Sequence, residues 1–443
     1  MTDIPLRPPA PERPVRLARG AVAALFFSNG AIYSNLVPRY PEIKDALALS
    51  DSAYGLSIAV MPLGSLLSGF VAGALIRRVG SGRLASLGMI GLAVGALGVA
   101  AAPAPWLFAA ALFVVGLLDS VADIAQNSHG LRVQRSYGRS IINSFHAIWS
   151  LGAVTGGLMA AGAVALGLPL TVHIGVVAVV FSLVCLGAWR LTLPGSDEPA
   201  QPEGDGAAST FADKGENAGI GDAAATAEAG SLTGDPGGKR GGSNARGRRS
   251  GPLVPARLLP VIAALSLIAI ANSIVEDAGS TWATLYMSVQ FDTPEAIAVM
   301  GYIAVIGSQF VGRLTGDRLV DRFGQRAVAR FGGLLLTVGM SVALLAPTVP
   351  TTLVGFAAAG FGIATLIPSV MNAADDLPGL RPGTGLTIVS WLMRVGFLLS
   401  PPVVGALSDH YGLRLGLGVT VVAGVVIVAL AGSLHGRRDT SSH

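Results

Sequence analysis

The stretch Asp317-Arg318-Leu319-Val320-Asp321-Arg322-Phe323-Gly324-Gln325-Arg326 separates two long apolar runs, at about 294–317 and 328–347. A helix needs about 20 apolar residues to cross the roughly 30 Å hydrocarbon core of a bilayer, and both runs suffice. Helices are expected because each one satisfies its own backbone in lipid. A β-barrel would instead show short alternating segments. The stretch is therefore predicted to be a charged loop that joins two membrane-spanning helices.

Similar apolar runs fill most of the 443-residue chain. The chain is 51% hydrophobic and only 13% charged, whereas soluble proteins carry about 25% charged residues. A bilayer, which solvates apolar side chains directly, accounts for this composition. We therefore predict an all-α membrane protein with twelve transmembrane helices, at about 20–37, 53–76, 84–102, 106–128, 140–165, 170–191, 258–288, 294–317, 328–347, 351–374, 384–407 and 414–434.

The chain divides into two related halves. Residues 193–256 are rich in Gly, Ala, Ser, Asp and Glu and cannot bury a core, which predicts a disordered cytoplasmic linker. The expected domains are 1–192 and 257–443, each a six-helix bundle. Matching positions recur at an offset of 243 to 245 residues. The pairs are Asn29 and Asn272, Tyr33 and Glu276, Gly80 and Gly324, Asn127 and Asn372, and Gly152 and Gly396.

Basic residues predict the orientation. If the N-terminus is inside, the outer loops contain only Arg39, Lys44 and Arg414 of the 30 Lys and Arg residues, and Arg394 lies within helix 11. The others lie at or near the inner side, as the positive-inside rule requires. We expect a bacterial inner-membrane protein with both termini in the cytoplasm. The apolar run from Ala21 lacks a cleavage pattern and is read as the first span rather than a signal peptide.

The opening stretch resembles the signature of the major facilitator superfamily, G-x-L-a-D-R-x-G-R-R. Its counterpart after helix 2 is Gly73-Ala74-Leu75-Ile76-Arg77-Arg78-Val79-Gly80-Ser81-Gly82-Arg83. The second copy has Asp317 where the first Gly belongs, and the first has Arg77 where the Asp belongs. The resemblance implies two pseudo-symmetric six-helix bundles that exchange access between the two sides. It also implies a cytoplasmic gate, for which the candidates are Arg77, Arg78, Arg83, Asp123, Asp321, Arg322 and Arg326.

Two further patterns are similar to a sugar-permease-like branch that contains fucose permease. They are Asp123-x-x-x-Asn127 at the end of helix 4 and Pro401-Pro402 in helix 11. Drug antiporters typically carry G-x-x-x-G-P-x-x-G-G in helix 5. Here Gly152-x-x-x-Gly156 is followed by Gly157 rather than Pro, which disfavours that class.

Arg394 is predicted to lie roughly 15 Å into helix 11, close to the midplane. A charge at a helix centre costs about 2.5–3.5 kcal/mol, so such residues usually face a cavity or a partner. The planar guanidinium suits an anionic or polyhydroxylated substrate. A fixed interhelical ion pair is the alternative.

Asp119 and Asp123 are four residues apart and share one face of helix 4. Two like charges in low dielectric favour a proton on one of them, so Asp119 is the candidate for proton coupling. Asp123 is instead expected to pair with Arg77, Arg78 or Arg83. His146 on helix 5 is a candidate proton relay, and packing is the alternative.

Helices 1 and 7 supply the other candidates for substrate binding, Asn29, Tyr33, Asn272 and Glu276. Glu276 occupies the repeat position of Tyr33, next to Asp277. If helix 7 ended early, both acids would simply be hydrated. Asn29 and Asn272 are expected to offer hydrogen bonds to a solute.

Together these features predict a proton-coupled secondary transporter for a small polar or sugar-like solute, with the lipid bilayer and protons as its other partners. Proton-antiport efflux of drugs or secondary metabolites is the first alternative, and a membrane sensor or scaffold that does not transport is the second. The sequence lacks a nucleotide-binding loop and metal-ligand spacing, so we expect no cofactor, no metal and no enzymatic activity. The basic residues lie in short clusters, which disfavours nucleic-acid binding. A monomer is expected.

Overall fold

The computed structural model describes residues 12–137, 141–195, 255–378, 380 and 384–434. Most of the predicted linker lies outside these residues. The described residues form helices and no strands. We number the twelve long helices α1 to α12: Arg13–Leu36, Asp51–Val79, Ser81–Ala100, Pro105–Tyr137, Ile142–Ala165, Leu170–Trp189, Leu259–Phe291, Glu295–Phe323, Gln325–Leu345, Val349–Ile363, Thr384–Tyr411 and Val419–Leu430.

The prediction of an all-α membrane protein is confirmed. Among the described residues, eleven spans are long and apolar enough to cross a membrane. A twelfth is formed by Asp51–Ser68 and Val71–Val79, which bend by 58° where they meet in α2. Several helices are longer than the apolar segments that predicted them. For example, α4 extends to Tyr137, because a helix continues past the hydrocarbon core wherever no residue stops it.

Short helices complete three of the spans. Tyr40–Ala46 follows α1, Leu366–Asp375 continues α10, and Leu413–Gly416 precedes α12. In α10 the break follows Ile363, and the second segment restarts at Leu366. These interruptions leave backbone groups outside a regular helix, which membranes tolerate where the protein covers them.

The two halves pack in the same way. In the first, α1 contacts α5 and α6, α4 contacts α2 and α3, and α3 contacts α6. The corresponding pairs in the second half are α7 with α11 and α12, α10 with α8 and α9, and α9 with α12. Glycines allow the same close approaches in both. A Cβ on Gly152 would meet the backbone of Phe27, and one on Gly396 would meet that of Ile270.

The loops quoted above turn identically. Gly80 and Gly324 have φ values of 88° and 83°, a region that glycine enters without steric cost. Each donates its backbone N–H to the carbonyl four residues earlier, that of Ile76 or Val320. The charged loop is thus a tight glycine turn between antiparallel helices, repeated once in each half.

The halves meet through α2 against α11 and α5 against α8. We call the end of the bundle where α1 begins the basic end, because it carries Arg77, Arg78 and Arg322. The opposite end, where α2 begins, is the far end. Gly55 lies on the backbone of Pro401, and Gly405 on that of Asp51, so α2 and α11 touch closely near the far end.

Large apolar side chains cover the outside of the bundle. Leu183, Val354 and Val422 are each more than 60% exposed, and many others resemble them. Water-soluble monomers rarely expose apolar patches of this extent. Lipid is the medium that covers such a surface, and polar and charged side chains gather instead between the halves.

Candidate functional site

Asn29 joins three helices of the first half. Its Nδ2 donates to Asp119 Oδ1 on α4 at 2.8 Å, and its Oδ1 accepts from Trp149 Nε1 on α5 at 2.6 Å. Asn29 is buried, whereas Asp119 and Trp149 are partly exposed towards the interior. The amide therefore orients a carboxylate and an indole along the wall that faces the second half.

Asp123 lies one turn nearer the basic end. Its Oδ1 accepts from Gln126 Nε2 and Asn127 Nδ2, both at 3.0 Å. The basic side chains within electrostatic range of its carboxylate include those of His146 on α5 and Arg394 on α11. Arg394 belongs to the second half, so the attraction between Asp123 and Arg394 crosses the interface.

Glu276, on α7, is a carboxylate of the second half. Its carboxylate lies 3.5 Å from Arg313 Nη2 on α8 and accepts from Gln309 Nε2 at 3.1 Å and Asn272 Nδ2 at 3.4 Å. Arg313 Nη1 also donates to Ser150 Oγ on α5 at 3.5 Å. Arg313 thus contacts both halves, and we call Glu276, Arg313 and Ser150 the central bridge.

Arg313 is a site residue that the sequence reasoning missed. It lies within the predicted span at 294–317 but was grouped with the basic residues of the inner side. The signal was present, because Gln309 and Arg313 are four residues apart and so share a helix face. A polar pair of this spacing inside an apolar run indicates a face turned to an interior partner.

Tyr33 and Asn272 occupy the interface as well. Tyr33 is partly buried on α1, within electrostatic range of Tyr302 on α8 and Asp277 on α7. Asn272 is fully buried and contacts Glu276 one turn away. Helix α7 runs on to Phe291, so Glu276 and Asp277 lie well inside it rather than in a hydrated loop.

The candidates for the cytoplasmic gate lie at the basic end. Arg77, Arg78, Arg83, Asp321 and Arg322 are exposed. Arg326 is half-buried, and its Nε donates to Leu434 O at 3.1 Å. Within the described ranges, no ion pair joins any of these arginines to Asp123.

The far end is sealed by contacts between the halves. Tyr54 Oη on α2 donates to Thr281 O on α7 at 3.1 Å, and its ring meets Trp282 edge-on at 5.0 Å between centroids. Ser34 and Tyr302 share a hydrogen bond of 2.6 Å. We call Ser34, Tyr54, Thr281, Trp282 and Tyr302 the far-end seal.

A carboxylate adds a further contact across this end. Asp409, near the end of α11, accepts from the backbone N–H groups of Asp51 and Ser52 at 2.8 and 2.9 Å. These two N–H groups lie in the first turn of α2. N–H groups in a first turn lack helical partners, so a negative charge beside them is favourable.

The chemistry of the interior is that of charge pairs and hydrogen bonds. No group of three or more His, Cys, Asp or Glu side chains that could hold a metal ion occurs in the part of the chain that the structure describes. Arg313 pairs with Glu276 within the second half and donates to Ser150 across the interface.

Twelve helices in two equivalent halves, with ionisable side chains such as Asp123, Glu276 and Arg313 between them, define the architecture of a membrane transporter. The chain belongs to the Major Facilitator Superfamily, whose family model matches residues 22–319 and 265–443. The resemblance seen in the charged loops is thereby confirmed.

Individual relatives agree with the family. The chain is 27% identical over 361 residues to an uncharacterized transporter, y4wD, of Sinorhizobium fredii, a match that covers 80% of this chain and 82% of the relative. It is 23% identical to the membrane protein MosC of Rhizobium meliloti over 87% of this chain and 82% of the relative. Among solved structures, a mutant of the nucleoside transporter NupG superposes with a TM-score of 0.67 at 11% identity, covering 94% of this chain and 98% of NupG. That likeness shows the fold alone.

Proposed function

We propose that the chain is a secondary active transporter that moves a small polar solute by alternating access. The observation that carries this proposal is the central bridge, in which Arg313 contacts Glu276 of its own half and Ser150 of the other. A solute that binds Arg313 touches a side chain that links the halves near the midplane. Binding energy is then available to change how the halves meet.

The solute site is proposed to lie between the halves, level with the central bridge. It comprises Arg394 with Asn29 and Tyr33 from α1 and Asn272 and Glu276 from α7, to which Arg313 is now added. Asn29 orients the carboxylate of Asp119 and the indole of Trp149 on the first-half side of this space. The guanidinium groups of Arg313 and Arg394 lie on the second-half side. This combination suits hydroxyl and carboxylate oxygens, which accept from Arg and donate to or accept from amides.

The basic end is proposed to face the cytoplasm, in accordance with the positive-inside rule. The far-end seal would then face outwards, and the arrangement described here would be open towards the cytoplasm. Opening of the far-end seal, with closure near Asp123, Arg77, Arg78, Arg83, Asp321, Arg322 and Arg326, would give the alternate state. The domains 1–192 and 257–443 would rock as units, joined by the linker 193–256, in a monomer.

Coupling to protons is proposed to use Asp119, with His146 as a relay. Asp119 accepts a hydrogen bond from Asn29 and has no basic side chain within ion-pair distance in the described ranges. A carboxylate so placed loses solvation when the interior closes, and a proton relieves that cost. His146 on α5 lies within electrostatic range of Asp123, one turn from Asp119 on α4, which supports a relay of protons along these two helices.

A substrate panel in proteoliposomes tests the proposal. The panel contains sugars, small organic acids, drug-like cations and nucleosides, the last because one structure of the same fold is a nucleoside transporter. We expect one class to accumulate against its gradient when the pH gradient is imposed, with acidification of the lumen. Export of a solute with acidification of the compartment that it leaves would instead establish proton antiport, because the proton enters as the solute departs. Absence of flux for every class, including drug-like cations, would contradict transport.

Asp119→Asn tests the coupling step. The variant keeps the size and the hydrogen bond of the side chain but removes its titration. We expect loss of accumulation driven by the pH gradient, while exchange of labelled for unlabelled solute continues. Asp119→Glu, which can still bind a proton, should retain at least part of the accumulation. Full accumulation by Asp119→Asn would exclude Asp119 as the coupling group.

A further inference from the structure

Asp277 is an ionisable side chain that is not part of the proposed solute site. It lies on α7 and is only 8% exposed. Thr281 Oγ1 donates to its Oδ1 at 3.2 Å, whereas its Oδ2 is buried without a hydrogen-bond partner. The Ser400 hydroxyl of α11 lies beside it. A carboxyl oxygen that is buried and unpartnered is costly unless it carries a proton.

The surroundings of Asp277 supply no positive charge within the described ranges. The ionisable groups within electrostatic range of it are Glu276 on α7, Tyr54 on α2 and Tyr33 and Tyr40 from the first half. Arg313 is engaged with Glu276, and from α11 the nearest polar neighbour is the uncharged Ser400. An ionised Asp277 would therefore meet only neutral or acidic groups.

Asp277 also adjoins the far-end seal directly. Thr281, which donates to it, is the residue whose carbonyl accepts from Tyr54 Oη across the interface. Trp282, the next residue, meets the Tyr54 ring. With these contacts present, the Asp277 side chain is only 8% exposed. A gap between the halves at this end would expose it to water.

We propose that Asp277 is a protonation site that controls the far-end seal. Bound to a proton, the neutral side chain allows Tyr54, Thr281 and Trp282 to close over it. Without the proton, the carboxylate requires water, so the far end opens. The proton adds to one carboxyl oxygen and leaves as hydronium, with no other bond changed. This inference rests on the proposed transport function, and it assigns to α7 a control of the far end that is separate from Asp119.

The direction of the pH dependence follows from the charge of Asp277. Closure is favoured while Asp277 holds its proton and is opposed once the proton is lost. The far-end-open fraction should therefore rise with pH. A transporter with this device closes its outer side only after it has taken up a proton there.

The test uses a buried thiol one turn beyond Thr281 on α7, in the contact between the halves at the far end, and needs no substrate. Thr284 is 5% exposed and lies in a crevice between the halves at the far end, opposite Pro38, Pro41 and Val164. Thr284→Cys is introduced with Cys185→Ala, which removes the sole native cysteine. The full-length protein in nanodiscs is labelled with a membrane-impermeant maleimide between pH 5.5 and pH 8. Each rate is divided by that of the denatured protein at the same pH, which cancels the ionisation of the thiol.

With Asp277 present, we expect the normalised rate to rise with pH by on the order of tenfold, because an unpaired buried charge is strongly disfavoured. With Asp277→Asn or the smaller Asp277→Ser, the rate should be low and independent of pH. Asp45→Asn, which removes an exposed carboxylate from the same crevice, should keep the rise.

Two outcomes would overturn the proposal. One is a rate that does not change with pH while Asp277 is present. The other is an unchanged rise in both Asp277→Asn and Asp277→Ser, which would mean that another group titrates. Either result would leave solute flux and the Asp119 test unaffected, so failure of this inference is distinguishable from failure of the proposed transport.

Discussion

Arg313 illustrates what a single residue does at the interface. Its side chain is 38% exposed, and its guanidinium lies 3.5 Å from Glu276 and reaches Ser150 of the other half. An arginine that was fully committed to one carboxylate would be buried and bidentate. The longer, shared contacts leave donors free for a solute while they still hold the two halves together.

Replacement of Arg313 by Gln tests this role. The variant removes the charge and leaves Glu276 with only amide partners. Hydrogen bonds to charged groups contribute about 1.5–3 kcal/mol, so we expect kcat/KM for the transported solute to fall by roughly 10- to 100-fold. Uptake kinetics in proteoliposomes provide the measurement. Arg330→Gln, an exposed arginine on α9, serves as the matched control and should stay within about twofold of the parent, because exposed charges contribute little. Equal kinetics for Arg313→Gln and the parent would remove Arg313 from the site.

Pairs of helices decide how closely the halves can meet. A Cβ on Gly55 of α2 would overlap the carbonyl of Pro401 on α11, which shows that these two backbones touch. Pro401 and Pro402 lie within α11, and the missing N–H groups of the prolines favour an irregular backbone there. The close approach of α2 and α11 thus depends on both helices, on Gly55 in α2 and on Pro401 and Pro402 in α11.

Gly55→Leu should prevent this approach. Its side chain has no room against the Pro401 backbone, and overpacking of this kind costs about 1–3 kcal/mol. We expect the far end to stay open, with labelling of Thr284→Cys raised and net flux lowered by at least about fivefold. Gly162→Leu on α5 is the matched control, because nothing lies within 4 Å of its Cβ position. If Gly55→Leu labels and transports as the control does, the α2–α11 contact does not govern the seal.

The whole molecule consists of two bundles whose internal contacts repeat and whose mutual contacts, among the described residues, gather towards the far end and the midplane. Such an arrangement needs no direct role for the segment between the bundles. A sensor or scaffold, by contrast, would be expected to use that segment for its output. The function of the chain can therefore be separated from that of the segment by deletion.

Deletion of residues 200–245 makes this distinction. A tether shortened in this way still retains 18 residues of the 64 in 193–256, roughly 60 Å when extended, so the bundles remain free to move. We expect initial rates of uptake within about twofold of the full chain, measured in proteoliposomes at equal protein density. A chain of the same length in which 200–245 is replaced by a Gly/Ser linker is the control. If flux is lost in both, the segment takes part in transport.

The sequence by itself determined the membrane-spanning class, the twelve helices and their twofold repeat. Apolar length and the charged loops with Gly80 and Gly324 can be read from each segment alone, and the recurring offset follows from comparing the two halves of the sequence. The candidate residues Asn29, Asp119 and Arg394 were likewise visible, because a polar group inside an apolar run is costly and rarely accidental.

Only the tertiary structure decided which of these residues meet. Asp123 was expected beside Arg77, Arg78 or Arg83, yet its electrostatic partners are His146 and Arg394. Arg313 was counted with the basic end until its contacts with Glu276 and Ser150 placed it between the halves. The physical reason is that the hydrophobic pattern determines which segments cross the lipid as helices. The rotation of each helix about its axis and the helix that it packs against are set by close packing at glycines such as Gly55 and Gly152. Ionic contacts depend on that rotation, which the spacing of apolar residues does not encode.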